Sequence, residues 1–165
     1  MKLLRLLCLI FAALSFALSG AGQAEEAPAL SRGQTLYLPI YSSFWHGDMK
    51  NGYPQKSQVS ALVSVRNTDP RQSIRLTSAR YYDTAGRLVA EYMKAPKTIG
   101  PLATYELYVE KQEAAGGSGA NFLIVWQAEA PTNPPVVEAV HADLLGHRTL
   151  VFITSGHPIN PGKAD

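Results

Sequence analysis

The sequence of 165 residues contains one cysteine, Cys8, and it lies in an apolar N-terminal segment. If that segment is removed on export, no thiol remains in the mature chain. Thiol nucleophiles, iron–sulfur clusters, thiolate zinc sites and disulfides are then excluded together. The mature chain, of about 140 residues, is large enough to fold without a disulfide or a metal.

The chain also lacks an excess of charge of either sign. It has 15 Lys and Arg against 13 Asp and Glu, and two of the cations, Lys2 and Arg5, belong to the N-terminal segment. The rest of the chain is therefore neutral. Nucleic acids and anionic membranes attract proteins with clustered Lys and Arg. A neutral chain argues against both as the main partner.

Long apolar runs are absent after residue 24. Residues 6–18 are apolar, follow Lys2 and Arg5, and precede the small and polar residues 19–24. This is the layout of a secretory signal peptide, and the run is shorter than the ~20 residues that span a bilayer. We expect cleavage after Ala24, with cleavage after Ala21 as the alternative, and a soluble product in the periplasm or outside the cell. Lipidation of Cys8 is disfavoured, because a lipobox has a small residue where this chain has a leucine.

The remaining chain alternates apolar and polar residues with period two. Val59, Ala61, Val63 and Val65 fall on one face of a strand, as a half-buried strand requires. Turn residues recur about every eight to twelve positions, a spacing typical of sandwiches and barrels. We predict a leader over residues 25–32, one β-sandwich domain over 33–156 and a tail over 157–165.

The predicted fold is all-β, a single antiparallel sandwich that is immunoglobulin-like and has seven to eight strands. No segment sustains a helical period with adequate length, and eleven prolines oppose helix. The predicted strands cover residues 34–42, 58–67, 73–82, 87–93, 103–110, 120–128, 136–143 and 148–154.

Six short segments carry a family resemblance. They are residues 33–41 (GQTLYLPIY), 46–48 (HGD), 65–70 (VRNTDP), 81–83 (YYD), 116–122 (GGSGANF) and 133–135 (NPP). Together they resemble a bacterial exported family of unknown function called domain of unknown function 3124, from about Gly33 to Ile159. The resemblance implies an exported single domain. It implies no activity, cofactor or site residue.

Strand direction predicts a common end for several connections. If consecutive strands alternate in direction, residues 43–57, 83–86, 111–120 and 143–148 emerge at the same end of the sandwich. The candidate ligand-binding residues at this loop-rich end are Trp45, His46, Asp48, Asp83, Asn121, Asp143 and His147. Two imidazoles and three carboxylates can in principle bind a divalent cation, although loop His and Asp are more often solvated turn formers. His141, in mid-strand, is expected to be a packed or surface residue rather than a ligand.

The connection over residues 43–57 is the longest that the pattern predicts. It contains Phe44, Trp45 and Tyr53. Long connections in compact domains are usually functional or disordered. These aromatics either cap the open end of the sandwich or form a binding rim.

At the opposite end, polar residues are interpreted as solvated turns. These residues are Asn67, Asp69, Arg71, Lys97 and Asn133. Turn-forming side chains of this kind commonly bond their own backbone.

Residues 116–120 (GGSGA) come near two catalytic motifs and match neither. A nucleophile elbow has glycine where this chain has Ala120, and a dinucleotide fingerprint has its third glycine where Phe122 stands. We therefore predict a flexible connection, whose glycines could alternatively let the backbone approach a ligand.

Three functions fit the sequence, and the favoured one is a noncatalytic exported module. It would bind an envelope protein, peptide or glycan through the loop-rich end, with no cofactor. A small metal or ligand carrier that uses the His and Asp rim is the alternative. The third function considered is a hydrolase with an unrecognised carboxylate or histidine centre. No sequence pattern indicates such a centre.

Overall fold

A computed structural model of the chain describes residues 28–144 and 149–160. The predicted signal peptide over residues 1–24 lies outside the described residues, as does His147. The described residues form twelve β-strands. Within these two ranges there is no helix that is long and apolar enough to cross a membrane.

The strands have the following bounds. They are β1 (Ser31–Ile40), β2 (Ser43–Lys50), β3 (Tyr53–Gln58), β4 (Ser60–Arg66), β5 (Ile74–Tyr82), β6 (Leu88–Glu91), β7 (Lys97–Ile99), β8 (Thr104–Val109), β9 (Ala120–Thr132), β10 (Val136–Asp143), β11 (Leu150–Ser155) and β12 (His157–Ile159).

The strands form two large sheets and a separate hairpin. One sheet has the order β12-β1-β9-β5-β6, with β7 also paired to β5, and the other has the order β11-β10-β4-β8. β2 and β3 pair with each other. The pairings are antiparallel. The prediction of an all-β antiparallel sandwich is confirmed, with more strands than the seven or eight expected.

Alternating side chains of the two large sheets form the core. Phe122, Ile124 and Trp126 of β9 are fully buried, and so are Val63 and Val65 of β4. Full burial of such a side chain stabilises the fold by about 1.5–3 kcal/mol. The period-two pattern in the sequence therefore identified the inward faces correctly.

Each of the eight predicted strands has a counterpart, but the prediction of a plain connection over residues 43–57 is wrong. That segment is the hairpin of β2 and β3. Its turn is Asn51-Gly52, with φ angles of 52° and 83°. Positive φ at both central residues defines the type I′ turn that suits a two-residue hairpin, and Asn-Gly is its strongest sequence signal.

The six-stranded sheet also extends beyond the predicted domain limits of 33 and 156. β1 begins at Ser31, inside the predicted leader over residues 25–32. β12 lies in the predicted tail over 157–165 and pairs with β1, with Thr35 opposite Ile159. Both additional segments are held by backbone pairing, and neither shows the alternation of apolar and polar residues that predicts a strand from sequence.

The interpretation of the opposite end as solvated turns is wrong for two residues. Asn67 is 2% exposed and Asp69 is 8% exposed. Arg71 and Lys97 are exposed, and Asn133 is half-buried. Turn chemistry predicted where the chain bends, but it could not predict which turns the rest of the protein covers.

The Asp69 carboxylate accepts four hydrogen bonds. Oδ1 accepts from the backbone N–H groups of Arg71 (2.8 Å) and Gln72 (2.9 Å). Oδ2 accepts from the Thr132 hydroxyl (2.6 Å) and from the backbone N–H of Asn133 (3.2 Å). These bonds, led by that from Thr132, favour the charged form and hold the pKa of Asp69 well below its ordinary value.

We predict that Asp69→Ala lowers the melting temperature by about 5 °C or more, because it leaves several donors without an acceptor. Because the folded state has the lower pKa, the stabilisation is complete above the ordinary value of 3.8 and is lost as the pH falls below it. Thermal unfolding at pH 7 and at pH 3 checks both points. Exposed Asp48→Ala is the control, and equal melting temperatures for the two variants at pH 7 would contradict the prediction.

Candidate functional site

The loop-rich end brings three connections together. The backbone N–H of Ser42 donates to the carbonyl of Gly117 (3.0 Å), and the N–H of Thr84 donates to the carbonyl of Gly116 (2.9 Å). The N–H of Val59 donates to the Ser42 carbonyl (3.1 Å). The base of the hairpin, the turn after β5 and the connection before β9 are therefore joined at this end, as strand direction predicted.

The glycines of residues 116–119 permit a close approach. A Cβ on Gly116 would lie 1.9 Å from the Tyr81 hydroxyl oxygen, and Gly117 has a φ of 75°. The Thr84 hydroxyl donates to the Gly116 carbonyl and accepts from the Gly119 N–H. This segment, predicted to be a flexible connection, is therefore held closely against its neighbours.

Asp83 is a turn-forming residue. Its Oδ1 accepts from the N–H groups of Ala85 and Arg87, both at 2.9 Å, and its Oδ2 accepts from Arg87 Nε at 2.8 Å. These bonds, first among them the one from the Arg87 backbone, lower the pKa of Asp83. The carboxylate therefore stabilises its own turn, which is the more common role of a loop aspartate.

Asp143 and Asn121 belong to different sheets. The Asp143 carboxylate forms an ion pair with Lys111 Nζ at 2.5 Å. Asn121 lies within β9, opposite Pro39 of β1 and Tyr82 of β5. Since its neighbour in sequence points into the core, Asn121 belongs to the outer face of the six-stranded sheet.

The remaining members of the predicted rim lie on the hairpin or outside the described residues. His46 Nε2 lies 2.9 Å from the Ser57 hydroxyl across β2 and β3. Asp48 is exposed near the tip of the hairpin, and His147 lies outside the described residues. Within residues 28–144 and 149–160, no three His, Cys, Asp or Glu side chains are placed to hold a metal ion together.

The hairpin carries three large exposed side chains. Trp45, Met49 and Tyr53 are exposed by 57%, 67% and 73%. Trp45 lies opposite Lys56, whose ammonium is 5.7 Å from the centroid of the indole ring, within the range of a cation–π interaction. A register shift after His46 separates Trp45 from the tip. Trp45 is therefore an exposed side chain rather than a cap on the core.

An aromatic cluster anchors the base of the hairpin. The His141 ring stacks on Phe152 with centroids 4.5 Å apart, and Phe44 of β2 meets the same Phe152 edge-on at 6.3 Å. The backbone N–H of Tyr41 donates to His141 Nε2 at 3.1 Å. His141 is fully buried, and this burial lowers its pKa to about 4. Of the two places expected for His141, packed or on the surface, the structure shows the packed one.

Two signals in the sequence could have located this arrangement earlier. Asn51-Gly52 marks the hairpin, and the inward parity of His141 with Ala139 marks its burial. Nothing in the sequence pairs His141 with Phe152, because that contact follows from the register of β10 and β11.

The comparisons with known proteins identify a family. A family model described as "Protein of unknown function (DUF3124)" matches residues 33–159, which is most of the chain. The chain belongs to this family. No curated protein matches this DUF3124 chain. A solved structure titled "Crystal Structure of Thermotoga maritima 1070" is similar, with a TM-score of 0.42 and 11% identity, over 75% of this chain and 92% of that one.

For this DUF3124 chain we predict that burial of neutral His141 makes stability depend on pH. The unfolded state takes up this proton near pH 6.5 and the folded state near pH 4, so stability should fall as the pH drops between these values. Denaturant unfolding of wild type and His141→Phe checks this, because the difference between their free energies of unfolding should shrink toward pH 4. His157→Gln, at an exposed site, is the control. A difference that stays constant with pH would contradict the prediction.

Proposed function

We propose that this chain is an exported, noncatalytic binding module that recognises a partner protein through the β2–β3 hairpin. One observation carries the proposal: Trp45, Met49 and Tyr53 are each more than half exposed on an arm that pairs with neither large sheet. Export rests on the signal-like residues 1–24.

The exposed residue types support a protein partner. Aromatic residues and Met are enriched at protein interfaces, and Trp and Tyr are common among the residues that dominate binding energy. Trp45 and Tyr53 lose little conformational entropy on binding, because each has two side-chain torsions. Their burial against a partner would therefore contribute more than that of flexible polar side chains.

The backbone of the hairpin supports a peptide segment over a glycan as the recognised group. β2 and β3 pair with each other and with no other described strand, so the outer edge of each carries backbone N–H and C=O groups outside the ladder. Such an edge can accept an extended peptide as an added strand. A glycan would leave these backbone groups to water.

The anchoring of the hairpin supports a defined orientation. Phe44 packs against Phe152 of β11, and the base is closed by the hydrogen bond from Val59 N–H to the Ser42 carbonyl. An arm held at its base presents its exposed side chains with a smaller entropic cost than a free loop. The noncatalytic part of the proposal rests on the lack of a nucleophile motif in the sequence.

A photo-crosslinking amino acid tests the proposal in cells that export the chain. Placed at Tyr53, it should give one adduct of defined mass with a partner protein. Placed at Leu102, which is 69% exposed at the other end of the sandwich, it should give none. Adding Trp45→Ala to the Tyr53 variant should lower the yield about tenfold, as expected for a central interface residue.

The same substitution should leave the fold intact, since exposed sites usually change stability by less than about 0.5 kcal/mol. Thermal unfolding of Trp45→Ala provides that control. Equal adducts from both positions, or a yield that Trp45→Ala leaves unchanged in a stable protein, would refute recognition through the hairpin.

A further inference from the structure

A cleft lies far from the hairpin, at the end of the six-stranded sheet where β5 begins. One row of residues crosses four strands on the outer face of this sheet. The row runs from Thr98 of β7 through Arg75 of β5 and Gln127 of β9 to Gly33 of β1. Directly paired residues have side chains on the same face, so the row lines the floor of the cleft.

The cleft has two adjoining cavities. One, of about 560 Å³, is lined by Arg71, Arg75, Thr98, Gln127 and Glu129 among others. The second, of about 570 Å³, shares Gln127 with the first and adds Arg32. Each volume falls in the range of about 300–1,000 Å³ that small-molecule sites occupy.

The charge of the cleft is positive although the predicted mature chain is neutral. Arg71 and Arg75 are exposed, and neither forms an ion pair with any described residue. Arg32 donates from Nη1 to the backbone carbonyl of Glu129 at 2.6 Å, which places a third guanidinium at the boundary between the cavities. The Glu129 carboxylate is the one acidic group among the described lining residues.

The backbone that carries Arg71 is held in place before any ligand arrives. The buried Asp69 carboxylate accepts the N–H groups of Arg71 and Gln72 and is itself bonded to Thr132. Arg75 lies within β5, which is paired on both sides at this position. A fixed backbone at both arginines removes the backbone part of the entropic cost of binding.

We propose that this cleft binds a small ligand with carboxylate or phosphate groups, clamped by Arg71 and Arg75. A guanidinium presents a planar fork of donors that matches carboxylate and phosphate oxygens in bidentate fashion. Gln127, which both cavities share, and Thr98, which lies next to Arg75 in the row, supply neutral hydrogen-bonding groups. The site is independent of the hairpin and of the partner proposed for it.

Isothermal titration calorimetry with two probes tests the proposal on the purified chain. Pyrophosphate presents phosphate oxygens and tricarballylate presents carboxylate oxygens. At least one probe should bind, and the probe with the lower dissociation constant identifies the chemical class of the ligand. Arg71→Gln and Arg75→Gln should each weaken binding about tenfold, equivalent to about 1.4 kcal/mol.

Two further variants separate a built site from general attraction between charges. Glu129→Gln should strengthen binding, because it removes the acidic group from the lining. Lys94→Gln removes one exposed cation outside the cleft and should leave binding unchanged. Lack of binding by both probes, or equal weakening by Lys94→Gln and Arg71→Gln in stable proteins, would overturn the proposal. Loss of the hairpin adduct in Trp45→Ala has no bearing on either result.

Discussion

The buried Asp69 carboxylate is the interaction on which one whole end of the sandwich depends. It lies on the chain between β4 of the four-stranded sheet and β5 of the six-stranded sheet, and it also bonds the end of β9 through Thr132. Asn67 adds to the same network by donating to the carbonyls of Ile99 and Gly100. A single short segment therefore joins both sheets and fixes the start of β5.

At the other end of the sandwich, the connections are joined to one another through their backbones. The carbonyls of Gly116 and Gly117 accept from Thr84 and Ser42, whereas the buried Asp83 carboxylate bonds within its own turn. Both exposed surfaces discussed above are built on such fixed ends. The hairpin extends from one, and the arginine cleft lies against the other, so the two proposed binding events need not compete for space.

The fold could be predicted wherever burial leaves a period-two pattern. β4 and β9 bury alternate apolar side chains and were recognisable from sequence. β12 has three residues, all exposed, and β3 is mostly polar, so neither carries that pattern. Their pairing is set by turn geometry and backbone hydrogen bonding, which composition does not reveal.

The candidate site was less predictable because it depends on which partner each polar side chain meets. Strand direction correctly placed several connections at one end, and Trp45 is exposed on the hairpin there. Asp83 and Asp143 bond to Arg87 and Lys111, and no spacing rule indicates the second pair. Arg71 was interpreted as part of a solvated turn, because the sequence does not show that this turn lies beside Arg75 and Gln127 in a cleft.

The passage of the chain from β11 to β12 has a consequence for solubility. Gly156 donates its N–H to the Val137 carbonyl, after which the chain leaves one sheet and pairs with β1 of the other. A long edge strand is a template for polymerisation with other copies. β12 covers residues 35–37 of β1, and its Pro158 has no N–H to donate to an added strand. The three residues of β12 therefore shorten the edge of β1 with which another copy could pair.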